Sequence, residues 1–263
     1  MVCLPYLVAP SGVPQPGARV TVAKKQRFRK ASKLAVIATR RTWRRALRHR
    51  SAAAVEYRDV PFGHDLRTVI DVGAHHGQFA LLVRERYPEA DILCVEPLPN
   101  AVSRLQKVFR SDRAVRVAPV AVASTPGKRT MHVSRKTDSS SLLPILQRNV
   151  DAFPGTEQAT TTEVVVSTLD DLLPSPVARP CLLKIDAQGG ELEVLAGATE
   201  TLNQVDMAFV ECSFVELYKG QALVGEVIAE FFCHGLRLDG VYSVVQDANS
   251  RCLQADLLFR RSG

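Results

Sequence analysis

From residue 66 onward, short apolar runs alternate with stretches whose apolar positions recur at helical spacing. Thr68–Val72 reads as a first strand. Gly77–Tyr87 reads as a helix, with Phe79, Leu82 and Val83 on one face and Pro88 just past its end. Asp91–Val95 is a second strand, Pro99–Arg110 a helix and Ala114–Ala123 a third strand. Such alternation predicts βαβ units on a parallel sheet. A less regular stretch follows: an extra strand at Thr130–Ser134, a serine-rich loop at Asp138–Pro144, a strand at Glu163–Ser167 and a short helix at Thr168–Leu173. Thr168 and Asp171 have capping-box spacing, which makes Asp171 a helix-start residue rather than a catalytic acid. The core pattern then resumes with a strand at Cys181–Ile185, a helix at Gly190–Leu202, a strand at Met207–Val210 and a helix at Gly225–Cys233. Two last strands, near Gly240–Val245 and Gln254–Arg260, read as an antiparallel pair at the sheet edge.

Charge changes the picture at one end only. The net charge is +7, yet residues 1–50 hold 13 Lys/Arg and no acid, so the rest of the chain is mildly acidic. The domain division that follows is a basic extension over 1–50 and a folded α/β domain over 51–263. Residues 1–20, with four prolines, read as disordered. Residues 24–50 are helix-permissive and read as a basic helix packed on the domain edge. An anionic surface is the alternative contact for that helix, and nucleic acid is disfavoured as a partner. No run of about 18 apolar residues predicts a membrane span. The N-terminus lacks the pattern of a secretory signal. The six cysteines form no CxxC or CxxH pair, and Cys94, Cys181 and Cys212 sit in apolar strands. A reduced, cytoplasmic protein without a metal site is the expectation.

The candidate chemistry gathers at strand ends. In Val69-Ile-Asp71-Val-Gly73-Ala-His75-His-Gly77-Gln-Phe79 an apolar strand runs into a glycine turn and then a helix. A dinucleotide fingerprint would space its glycines as GxGxxG. Here an acid stands two residues before the first glycine, which suits the ammonium of a zwitterionic methionine moiety better than a pyrophosphate. Glu96, about 20 residues on at the end of the second strand, suits two ribose hydroxyls. The plain alternative for each acid is a solvated strand-end carboxylate.

At these residues the chain resembles the FkbM family of methyltransferases, over roughly residues 55–260. The likeness rests on VIDVGAHHGQFAL, VEPLPNAVSRLQ, VAPVAVASTPGKRTMHV, SSSLLP, TLDDLL, LLKIDAQGGELEVLAGATETL and FVECSFVELYKGQ. Its most specific mark is Lys184-Ile-Asp186-x-x-Gly189-x-Glu191. The resemblance implies a Rossmann-like α/β class I methyltransferase sandwich, with a mostly parallel seven-stranded sheet and antiparallel edge strands. It implies S-adenosyl-L-methionine as cofactor and methylation of a hydroxyl on a small molecule such as a sugar or secondary metabolite. His75 stands where the family usually has Asn, and Ser124 where it often has an acid. The cofactor residues are then Asp71, Gly73, Ala74, His75, Gly77, Phe79, Glu96, Pro97 and Ser124.

Methyl transfer to a hydroxyl requires alignment and removal of a proton. Asp186, at the carboxyl end of the fourth core strand, is the first candidate for base, and Glu211, at the end of the fifth, is the second. His75 is an alternative base and more simply a cofactor-loop residue. Glu191 reads as structural, at a helix start where a carboxylate favours the dipole. Ser140 and Ser141 with Tyr218 are the substrate-side candidates, with Ser139 and Lys219 beside them. The competing readings are a protein of the same fold without turnover, a nucleic-acid methyltransferase and a dehydrogenase. The segment Asp186-Ala-Gln-Gly lacks the motif of base-amine methylation, and Asp71-x-Gly73 argues against nicotinamide.

Overall fold

The structure, a computed structural model, describes Trp43 and residues 46–174 and 176–262. The proline-rich segment 1–20, most of the basic stretch 24–50, and Cys3 lie outside the described residues. The strands are β1 (Thr68–Val72), β2 (Asp91–Val95), β3 (Val115–Ala118), β4 (Ala121–Val122), β5 (Gly127–Ser134), β6 (Gln158–Ser167), β7 (Cys181–Ile185), β8 (Met207–Ser213), β9 (Leu236–Gln246) and β10 (Cys252–Arg261). The α-helices are α1 (Gln78–Arg86), α2 (Pro99–Val108), α3 (Gln147–Ala152), α4 (Glu191–Ala196), α5 (Thr199–Leu202) and α6 (Val224–Cys233).

Seven strands form one sheet in the order β3-β2-β1-β7-β8-β10-β9. β10 runs antiparallel to both neighbours and the other pairs are parallel. This is the mostly parallel α/β sandwich expected, with the antiparallel strand inserted one place in from the edge. Alternation along the strands divides the core. Val69, Ile92, Leu182 and Phe209 face one apolar cluster with Phe79 and Leu82 of α1. Ile70, Leu93, Leu183 and Ala208 face the other, with Val194 and Leu195 of α4 and Phe231 of α6. Both faces are covered, so β1, β2 and β7 read as nearly continuous apolar runs. Trp43 is 4% exposed and joins the first cluster. Its indole N–H donates to the Leu81 carbonyl at 3.1 Å, so packing onto the domain begins before residue 51.

Three differences from the sequence reading have local causes. The single third strand over 114–123 is two strands: β3 ends before Pro119, which has no N–H for the ladder. β4 then pairs with β6 in a second sheet, β4-β6-β5. The helix read over 190–202 is two helices, α4 and α5, broken at Gly197. A Cβ at Gly197 would lie 2.2 Å from the Ala123 carbonyl oxygen, so the break lets the chain pass against β4. Thr168–Leu173 contains one 3-10 turn at Asp170–Leu172, with Thr168 Oγ1 accepting from the Asp171 N–H at 3.1 Å. The strands read at Thr130–Ser134 and Glu163–Ser167 are the ends of β5 and β6, whereas the helix α3 and the pairing of these strands into a second sheet were not read from the sequence. Met131, Val164 and Val166 of that sheet pack on Leu98 and Ala101, which sets it beside the carboxyl ends of β1 and β2.

Candidate functional site

Strand order reverses between β1 and β7, and ligands bind at such switch points, outside the carboxyl ends of the strands. A cleft open to solvent lies there. Its walls include Gly73, His75, Glu96, Pro97, Leu98, Val120, Val122, Arg129, Met131, Asp138, Ser140, Asp186, Gln188 and Glu193.

The glycine turn is closed on itself. Gly73 has φ +76, and a Cβ there would sit 2.0 Å from the Asp186 carbonyl oxygen. The Gly73 and Ala74 N–H groups donate to the Val95 carbonyl, the His75 N–H to Glu96, the His76 N–H to Gln78, and the Gly77 N–H to the Ala74 carbonyl. Every N–H from 73 to 77 therefore has an acceptor inside the protein. The turn is no phosphate cradle, since such a cradle presents free N–H groups to its anion.

Glu96 is 5% exposed. One carboxylate oxygen accepts from the His75 N–H and the other from the Leu98 N–H, each at 2.9 Å. Burial pushes its proton affinity up to about 7, and these two donors oppose the rise. Each oxygen keeps a further lone pair for a ligand on the cleft side.

Asp71 is placed differently from the sequence expectation. It is 0% exposed and is not on the cleft wall. The register sets it between Cys94 and Lys184 of the neighbouring strands. Lys184 Nζ lies 3.3 Å from its carboxylate, and no other donor among the described residues reaches either oxygen. The same ammonium reaches the Gly73 carbonyl at 3.3 Å and Asp186 at 3.5 Å. Asp71 thus acts below the turn, by holding the lysine that ties Gly73 to Asp186.

The remaining candidates separate into two sets. Gly73, His75, Glu96, Pro97, Ser140 and Asp186 are on the cleft wall. Ala74, Gly77, Phe79, Ser124, Ser141, Tyr218 and Glu211 are not. Phe79 is a core residue, edge-on to Phe62 with ring centroids 5.7 Å apart. Gly77, at φ +77, lets α1 start against Leu105 and Phe109. Ser124 donates to Glu193 at 2.9 Å, beside the Arg129–Glu193 ion pair at the cleft edge. Burial pushes the His75 ring down to about 4, so it is neutral at pH 7 and a poor proton acceptor. Its Nε2 lies 2.8 Å from Thr137 Oγ1, at the start of the turn that leads into the serine-rich loop, and so links the glycine turn to that loop across the cleft.

Behind Asp186 lies an acid cluster that extends away from the cleft. Burial, with Asp186 and Asp256 nearby, pushes Glu211 well above the ordinary carboxylate range. Burial likewise raises Asp256 to about 6 and holds the Tyr57 hydroxyl protonated beside it. Glu191 is buried at the start of α4, accepts from the Gly189 N–H at 3.0 Å, and is raised to about 7 by burial. Two contributors had no assignment from sequence, Lys184 and Gln188. A lysine inside the apolar run CLLKI was a usable signal, because a buried ammonium requires a partner. Among the described residues, no cluster of three or more His, Cys, Asp or Glu is arranged to hold a metal ion. Nor is any helix long and apolar enough to cross a membrane.

The methyltransferase FkbM domain matches residues 71–238, from Asp71 at the turn through the acid cluster to the start of β9. The chain belongs to the FkbM methyltransferase family. The family's methyl donor is S-adenosylmethionine, and the cleft fits it. Glu96, with a lone pair left on each carboxylate oxygen, would accept its ribose hydroxyls, and the apolar wall of Leu98, Val120, Val122 and Met131 would flank its adenine. The 2-O-methyltransferase NoeI of Sinorhizobium fredii is 26% identical over 160 residues, covering 58% of this chain and 66% of that protein. Methyltransferase 1 of Beauveria bassiana is 27% identical over 174 residues, 59% of this chain and 68% of that one. The chain thus matches about two thirds of the length of these relatives. Among solved structures, Aeropyrum pernix fibrillarin with natively bound S-adenosyl-L-methionine aligns over 79% of this chain and 72% of its own, at TM-score 0.42 and 14% identity.

Proposed function

We propose that this FkbM domain methylates a hydroxyl oxygen of a small polyhydroxylated acceptor, with Asp186 as the group that takes the hydroxyl proton. The observation that carries the reading is the position of Asp186. Its carboxylate is on the wall of the same cleft as Gly73 and Glu96, and its side chain is 32% exposed, within reach of a bound alcohol. The 2-O-methyltransferase relative supports oxygen as the acceptor atom.

Bound in the cleft, S-adenosylmethionine supplies an electrophilic sulfonium methyl. An alcohol is a weak nucleophile until its proton is shared with a base, and a positioned base contributes about 10²–10⁴ in rate. Asp186 is anchored for that role by Gln188 Nε2 at 2.6 Å and by the Lys184 ammonium at 3.5 Å, which balances its charge. Glu211 does not line the cleft and acts from behind, as the second acceptor of the Gln188 amide at 2.9 Å. Ser140 faces the cleft from the serine-rich loop, where an acceptor would lie.

The experiment is methylation with a ¹³C-methyl donor against a panel of sugars and phenols, with products read by mass and by the carbon shift of the new methyl. An O-methyl product is expected, lost about 10²–10⁴-fold in Asp186→Asn while the S-adenosylhomocysteine Kd stays within threefold. An N- or C-methyl product, or full activity in Asp186→Asn, refutes the reading.

A further inference from the structure

We infer that Gln188 is the positioning residue that holds Asp186 toward the cleft and connects it to the acceptor-side loops. This rests on the reading of Asp186 as the proton acceptor, and nothing else assigns Gln188 a part.

The geometry is that of a junction. The side-chain amide has two N–H groups, and each meets a carboxylate: Asp186 Oδ1 at 2.6 Å and Glu211 Oε2 at 2.9 Å. Its oxygen accepts from the Tyr218 hydroxyl at 2.5 Å, and its backbone carbonyl accepts from Ser141 Oγ at 2.7 Å. Tyr218 Oη also lies 3.1 Å from the Ser139 carbonyl. All of the amide's donors and an acceptor are engaged, so the assignment of its N and O ends follows from the partners. A carboxylate at position 188 has no N–H to offer and would face two further acids.

The backbone is shaped for this contact. Gln188 has φ +51, a left-handed conformation uncommon in a residue with a side chain. Gly189 follows at φ +96, with Tyr218 and Gln221 so close that a Cβ would be 3.0–3.2 Å from theirs. The turn directs Gln188 between two loops and the acid pair, where the left-handed backbone is offset by the four hydrogen bonds. Ser141 and Tyr218, which do not line the cleft, therefore act on the site through Gln188.

The test reads the amide itself and requires no acceptor. Wild-type protein, uniformly ¹⁵N-labelled and saturated with S-adenosylhomocysteine, is compared with variants by side-chain amide NMR, the Gln188 pair being assigned by its loss in Gln188→Glu. Two inequivalent downfield protons with slow solvent exchange are expected. Asp186→Asn should shift one of them and Glu211→Gln the other. Tyr218→Phe, which removes only the hydroxyl, should speed exchange of both at least tenfold while the unfolding midpoint stays near wild type. An amide pair that exchanges as fast as free glutamine, or that ignores all three substitutions, overturns the proposal. If Tyr218→Phe unfolds the protein, Ser141→Ala, which removes the donor to the Gln188 carbonyl, tests the same junction, with a shift of the Gln188 amide pair required. Because this readout is independent of turnover, it can succeed while the methylation reading fails, and the reverse.

Discussion

Replacing Lys184 with methionine tests the arrangement beneath the glycine turn. The substitution keeps the length and apolar stem of the side chain and deletes only the ammonium. In the wild type that ammonium is the one partner of Asp71 among the described residues, and the Asp71 carboxylate is wholly buried, 3.3 Å away. Breaking a buried pair from one side leaves an uncompensated charge and costs about 3–5 kcal/mol, against a typical domain stability of about 5–15 kcal/mol. With a urea m-value of about 2–3 kcal/mol/M, the midpoint should fall by roughly 1–2.5 M at unchanged m. Asp71→Asn should cost less, about 1–2 kcal/mol, because Lys184 keeps Asp186 and the Gly73 carbonyl. The double variant should be more stable than Lys184→Met, since the orphaned carboxylate is gone.

The pH dependence of the same variant has a definite sign. Burial already raises the Asp71 proton affinity in the fold, and Lys184 opposes that rise. Without the lysine the folded protein retains the Asp71 proton to higher pH than the unfolded chain. Stability is then highest below the unfolded carboxylate range and falls as pH rises toward the folded value. The deficit of Lys184→Met should accordingly narrow between neutral pH and about pH 4. Urea titrations at pH 7 and pH 4.5 measure this directly. An unfolding free energy within about 0.5 kcal/mol of wild type at pH 7, or single-variant costs that simply add in the double, would refute the argument.

Glu96→Gln should weaken S-adenosylhomocysteine binding by about tenfold or more by calorimetry, because a charge-assisted acceptor of two hydroxyls is replaced by a weaker one. With Glu96 raised to about 7, wild-type affinity should decline as pH falls below about 7, a decline Glu96→Gln should lack. In the free protein the same raised value destabilises the fold progressively as pH climbs from the unfolded carboxylate range to about 7, which a ligand-free melting series would show. Gly73→Ala should abolish ligand-induced stabilisation and lower the melting temperature by several degrees, since its φ is +76 and its Cβ would overlap the Asp186 carbonyl. Trp43→Ala should cost about 3–5 kcal/mol in urea, and a chain starting at residue 51 should melt below one starting at residue 40, because Trp43 fills the core under α1.

The sequence by itself determined the elements buried on both faces and the order of the loops that follow them. TVIDV, DILCV and CLLKI had to be central strands, since apolar runs of that length find cover only inside a sheet packed on both sides. The glycine turn after β1 and the acid after β2 were legible for a local reason: positive φ and strand-end polarity leave their mark in a few consecutive residues. What tertiary structure decided were the pairings between segments distant in the chain. Only the parallel register of β1 with β7 puts Lys184 opposite Asp71, turning an expected ligand contact into a buried ion pair. Only the close approach of Gly197 to Ala123 divides one predicted helix into two. Gln188 stands two residues from Asp186, but the contacts that make it a junction, to Glu211 and Tyr218, lie 23 and 30 residues away and leave no local signal. Hydrogen bonds of that kind depend on where strands stop and loops cross, which packing sets and local composition does not record.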